Sequence, residues 1–123
     1  MQLNNNLSEN EIRSLLPKTL GSLPILVYDE IDSTNDEAKR LITEKGFNSA
    51  LLVADYQSKG RGRTGHTFAS PERTGIYMSL LFTPASLEGA EHATTKACVA
   101  VLKSIEQLYG ISASVKWVND IYY

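Results

Sequence analysis

The chain has 123 residues, 42% of them apolar and 21% charged, with a formal net charge of −2. That length supports one domain with a modest core, and the acidic balance excludes a protein that binds nucleic acid through its overall charge. No apolar run approaches the roughly 18 residues of a membrane span, Met1–Asn6 lacks the basic and apolar regions of a signal peptide, and the single Cys98 excludes an internal disulfide framework, so a cytoplasmic setting is expected.

Ser8 and Glu11 have capping-box spacing, Ile12, Leu15 and Leu16 follow at helical spacing, and Pro17 ends this first helix. Pro24 precedes Ile25-Leu26-Val27-Tyr28, which reads as a strand. Ser33 or Thr34 caps the next helix, Ala38, Leu41 and Ile42 give it an apolar stripe, and Lys45-Gly46 closes it. Taken alone, Ser33-Thr34-Asn35 is a helix cap. Its hydroxyls and N–H groups are also suited to polar ligand atoms, and the two readings are compatible because a helix start has more donors than one cap satisfies. A second strand is expected at 50–54 and a third at 76–83, ending at Pro84. From Ser86 to Tyr109, Ala90, Ala93, Ala97, Val101, Leu102, Ile105 and Leu108 recur at helical spacing, so one long helix packing on a sheet through its alanines is expected, with Gly110 as its cap. His92 and Cys98 have no ligand or acid at useful spacing and read as structural or surface residues. The chain then gives a strand, a turn at Asn119-Asp120 and the start of another strand.

Between the second and third strands lies Gln57-Ser58-Lys59-Gly60-Arg61-Gly62-Arg63-Thr64-Gly65-His66, with three glycines and three fixed cations in ten residues. Glycine lets backbone N–H groups approach a ligand closely, and arginine offers a planar fork of donors to carboxylate or phosphate. The spacing is neither that of a P-loop nor that of a dinucleotide fingerprint. On composition alone, a solvated basic turn and an anion-binding loop both remain open. No catalytic triad or cysteine–histidine metal cluster is evident. Cations around an anion would suit electrostatic stabilisation of phosphoryl or nucleotidyl transfer.

Three segments, in order, resemble motifs of the biotin protein ligase family. Asp32-Ser33-Thr34-Asn35 resembles D-S-T-N, Gln57 to Gly65 resembles Q-x-x-G-R-G-R-x-G, and Lys116-Trp117-Val118-Asn119-Asp120 resembles K-W-P-N-D. Val118 replaces the proline, and Phe68 stands where many members have tryptophan. The resemblance implies an α+β fold with a mixed, largely antiparallel sheet and helices on one face, like class II aminoacyl-tRNA synthetases. It divides the chain into an N-terminal helical segment, residues 1–24, and part of a catalytic domain, residues 25–123. It implies ATP-dependent activation of biotin to biotinyl-5′-AMP, with Mg²⁺, and transfer to a lysine of a biotin carboxyl carrier protein.

By the same resemblance, Ser33, Thr34, Asn35 and Gln57 contact biotin, and Gly60, Arg61, Gly62 and Arg63 wrap the acyl-adenylate. Phe68 stacks on adenine. Arg61, Arg63 and Lys116 act on the reacting groups, Asn119 helps place the nucleotide, and Asp120 is the candidate metal ligand. The family continues past K-W-P-N-D with further strands and a small β-domain, and some members begin with a DNA-binding helix-turn-helix. Neither is present in these 123 residues, so a truncated catalytic domain is expected, with an open sheet edge prone to self-association and little turnover of its own. The alternatives are a lipoate or octanoate ligase or transferase of the related fold, and a non-catalytic small-molecule binding module.

Overall fold

A computed structural model describes residues 7–116 and 119–123; the sequence readings on Met1–Asn6, Trp117 and Val118 lie outside them. The chain divides into two compact units, Met1–Thr83 and Pro84–Tyr123.

In the first unit, α1 (Glu9–Leu15) is capped by Ser8, whose hydroxyl accepts from the Glu11 N–H at 3.4 Å. Strands β1 (Ile25–Ile31) and β2 (Ala50–Gln57) are parallel, in register from Ile25↔Leu51 to Ile31↔Gln57. Helix α2 (Thr34–Lys45) connects them, as a parallel pair requires a crossover. Strand β3 (Tyr77–Leu81) is antiparallel to β2, giving the order β1-β2-β3. With one parallel and one antiparallel pair here and a further antiparallel pair in the second unit, the sheets are mixed and mostly antiparallel, as the resemblance implies.

The core lies between α2 and one sheet face. Ala38 and Leu41 of α2 pack on Ala50 and Leu52 of β2, with Leu26, Tyr28, Phe47 and Leu81 half-buried around them. Side chains alternate across a strand, so the register carries this face from Leu52 to Ser79 and from Ala54 to Tyr77 on β3. The same alternation aims Ser79 toward the start of α2, where it meets the Thr34 hydroxyl, while the Tyr77 hydroxyl donates to the Pro71 carbonyl in the loop before β3. Truncating Leu41 or Leu52, both fully buried, would cost about 2–5 kcal/mol.

Strands β1 and β2 both run past their expected ends. Strand β1 continues to Ile31, and β2 continues to Gln57 because its last residues still pair with β1. Gln57 thus belongs to a strand end rather than to the loop.

The second unit holds α3 (Leu87–Glu91), α4 (Ala93–Tyr109), β4 (Ser114–Lys116) and β5 (Asp120–Tyr122). The single long helix expected over 86–109 is two helices. His92, at φ −93° and ψ 0°, interrupts it, and nothing in the apolar periodicity marks that break. Helix α4 lies against both strands of the β4–β5 hairpin. Cys98 is its buried residue, and Leu102 and Ile105 are half-buried, whereas Ala97 and Val101 are exposed. The buried face is thus rotated from the expected alanine stripe. Among the described residues, no helix is long and apolar enough to cross a membrane.

Candidate ligand site

The start of α2, the end of β2 and the outer strand β3 enclose a cleft of about 340 Å³ in the first unit. It is lined by Ser33, Thr34 and Asn35, by Gln57 and Arg61, and by residues 76–79 of β3 and its approach. Ser33 is the N-cap of α2, its hydroxyl accepting from the Asp36 N–H at 3.3 Å. Ser33 and Thr34 are only 1% and 3% exposed, so each of their polar atoms needs a partner. Gln57 supplies it for Thr34: its Oε1 accepts from the Thr34 N–H at 2.9 Å and from the hydroxyl at 3.2 Å. The Thr34 hydroxyl also shares a hydrogen bond of 2.8 Å with Ser79. The Gln57 amide nitrogen donates to Ser70 Oγ at 3.0 Å, which in turn donates to the Phe68 carbonyl at 3.2 Å. These bonds fix which way the Gln57 amide faces and hold the polar side of the cleft rigid.

Outside this cluster stands an ionic one. Arg40 grips Asp32 with both Nη atoms, at 2.9 and 2.7 Å, and donates from Nε to Glu37 at 2.6 Å. The Arg40 bonds, followed by the Ser33 N–H, hold the Asp32 carboxyl down to about 2. The Asp32 carbonyl accepts from the Lys59 N–H at 2.8 Å, and the Ile31 carbonyl from Ser58 at 2.9 Å. The turn before α2 is thereby tied to the first residues of the basic loop.

The loop is a small structure of its own. Gly60 and Phe68 pair, the Phe68 N–H reaching the Gly60 carbonyl at 2.8 Å, and Arg61 bridges to Thr67. A Cβ on Gly60 would fall on the Phe68 carbonyl oxygen and Ser70 Oγ, so glycine is required there for close approach of the loop's two limbs. The Gly62 N–H is engaged with the His66 carbonyl at 2.7 Å, so it serves the loop itself. Residues Arg63–Gly65 form a 3-10 turn, with Thr64 at φ 52° and Gly65 at φ 78°. Arg61 leaves the loop toward α2 and donates from Nε to Asp36 Oδ2 at 2.7 Å.

The structure therefore brings Ser33, Thr34, Asn35, Gln57 and Arg61 to one cleft. Gly60 lies directly beneath, in the loop's pairing, while Gly62, Arg63 and the exposed Phe68 are in the loop but do not line the cleft. Lys116, Asn119 and Asp120 belong to the second unit. Lys116 ends β4 and faces Asp120 across the hairpin, and Asn119 lies in the turn between them. Sequence reasoning missed Ser70, Ser79, Asp36 and Tyr77. Ser79 and Tyr77 could have been found only by knowing the β2–β3 register. Among the described residues, no three His, Cys, Asp or Glu side chains converge as a metal site.

The sequence profile of the biotin/lipoate A/B protein ligase family matches residues 27–123. The chain belongs to that family. It is 37% identical over 116 residues to the bifunctional ligase/repressor BirA of Bacillus subtilis, covering 94% of this chain and 36% of the relative. It is 30% identical to the human biotin–protein ligase, covering 90% of this chain and 16% of that protein. The biotin protein ligase of Aquifex aeolicus, solved in complex with biotin and ATP, superposes with a TM-score of 0.68 at 34% identity, over 81% of this chain and 41% of that one. The chain thus spans about a third of the length of the BirA relative. The matched span, residues 27–123, contains all three motif segments, and the likeness to the Aquifex aeolicus ligase agrees with the fold that the resemblance implies.

Proposed function

We propose that this chain forms the biotin- and adenylate-binding part of a ligase that activates biotin with ATP and passes it to a lysine of a biotin carboxyl carrier protein in the cytoplasm. In the first step a biotin carboxylate oxygen forms a bond to the ATP α-phosphorus and pyrophosphate leaves. In the second, the lysine amine attacks the acyl carbon, AMP leaves with the electron pair of the broken C–O bond, and the amine loses a proton. Neither step needs a protein nucleophile; both need alignment and neutralisation of anionic oxygens.

The observation that carries the reading is the cleft itself. One side presents Ser33, Thr34, Asn35 and Gln57, held by internal hydrogen bonds, and the other presents Ile76, Tyr77 and Met78. A fused ring with a polar ureido end and an apolar body suits that division, and Arg61 at the same cleft suits the carboxylate. In this assignment Gly60 and Gly62 allow the loop to lie close on the acyl-adenylate, Arg63 adds positive charge, and exposed Phe68 offers an aromatic face to adenine. Lys116 is assigned the developing charge, and Asn119 and Asp120 the nucleotide side, by their motif. Mg²⁺ would arrive with the ATP phosphates, the usual way that ion is held, with Asp120 the carboxylate offered.

Calorimetric titration of the 123-residue chain with biotin and with lipoate, each with ATP, tests the reading. Biotin is expected to bind and lipoate not. Gln57→Ala is expected to abolish the biotin signal, because it strips the buried Thr34 N–H of its acceptor, at about 1–3 kcal/mol. Equal binding of both acids, or of neither, overturns the proposal.

A further inference from the structure

Asp36 belongs to none of the three motifs, yet its carboxylate holds the loop cation that lines the cleft. Asp36 lies in the first turn of α2, and its backbone N–H is fixed by the Ser33 cap. Its side chain is largely covered, at 17% exposure, whereas the Arg61 side chain is 57% exposed. One carboxylate oxygen accepts from Arg61 Nε at 2.7 Å; the other faces Lys39 Nζ at 3.9 Å. A long exposed arginine on a loop samples many rotamers, and each must be given up when it binds a ligand. Asp36 removes that freedom before the ligand arrives. It engages the guanidinium through Nε, so the Nη edge, which makes forked contacts with carboxylate or phosphate, is not spent on Asp36.

We infer that Asp36 is a positioning residue: it anchors Arg61 by Nε at the cleft and thereby sets selectivity for the anionic over the neutral form of the acyl ligand. The identity of the ligand rests on the proposed function; the anchoring does not.

Two measurements on the 123-residue chain test this separately. The first is ligand-free. The Arg61 Nε–H resonance in ¹H–¹⁵N spectra is expected to be slowly exchanging and to lose that protection in Asp36→Asn. A resonance indifferent to Asp36 overturns the inference, whatever the ligand data show. The second compares biotin with biotin methyl ester, which has the same rings and no carboxylate. Asp36→Asn is expected to weaken biotin roughly threefold to tenfold, the scale of one charge-assisted hydrogen bond partly exposed to solvent, and to leave the ester unchanged. In an Arg61→Ala background, Asp36→Asn is expected to have no further effect on biotin. Tighter biotin binding in Asp36→Asn would mean that Asp36 competes with the ligand for Arg61, and equal weakening of acid and ester would mean a merely structural role; either overturns the inference. If the wild-type chain binds neither compound but the Nε–H protection depends on Asp36, the proposed function falls and the anchoring stands.

Discussion

Asp32 is the residue on which the turn before α2 depends. Its carboxylate takes two donors from Arg40 and one from the Ser33 N–H, and its carbonyl takes the Lys59 N–H. The folded pKa is about 2 against an ordinary 3.8. A depressed acid stabilises the fold fully above the unfolded value, and the contribution is lost as pH falls through the folded one. Acid titration is therefore expected to lower the urea midpoint of the wild type between about pH 4 and 2 more than that of Asp32→Asn, as read by circular dichroism. The difference will be modest, because both side chains are more than a third exposed and solvent screens the pair. Equal losses in the two proteins would show that this pairing carries no acid sensitivity. The motif made Asp32 visible in the sequence. Arg40 was not, because its spacing of eight from Asp32 means nothing until a helix and its preceding turn are placed together.

At the scale of the element, the basic loop is held at both limbs rather than solvated throughout. Gln57 pairs with Ser70, Gly60 with Phe68 and Arg61 with Thr67. Two glycines in it have different physical duties. Gly60 has backbone and Ser70 Oγ where a Cβ would go, whereas Gly65 has a left-handed φ of 78° and open space around it. Gly65→Ala is expected to cost about 1 kcal/mol, the ordinary cost of that backbone region. Gly60→Ala is expected to cost more and also to abolish biotin binding, because the pairing beneath Gln57 must open. Urea melts and calorimetry separate the two; equal costs would show that the loop limbs can part freely.

Element by element, legibility followed the physics. Helix α2 was readable at both ends, from its Ser33 cap to Gly46 at φ 67°, because caps are local chemistry. The extension of β2 to Gln57 and the break at His92 were not. One depends on a partner strand, and the other leaves no mark in the apolar pattern.

For the whole molecule, the decisive feature is how much apolar surface the first unit leaves uncovered on its last strand. Residues 76, 78, 80 and 82 share a side by alternation, and Ile76, Met78, Leu80 and Phe82 are 79%, 52%, 57% and 48% exposed. In the sheet order β1-β2-β3, strand β3 has β2 on one edge only, so among the described residues its other edge offers unpaired backbone groups. An apolar row beside an open edge is a template for another strand. No Lys, Arg, Asp or Glu lies between Gly75 and Thr83 to oppose pairing. The 123-residue chain is therefore expected to self-associate as its concentration rises, seen as a mass increase in size-exclusion chromatography with light scattering. Met78→Lys with Leu80→Lys is expected to restore the monomer without weakening the α2 packing, since neither side chain belongs to the core of Ala38, Leu41, Ala50 and Leu52. A wild-type chain that stays monomeric across the whole range would mean that the row and the edge are protected, and the sheet would then need a cover that these contacts do not supply.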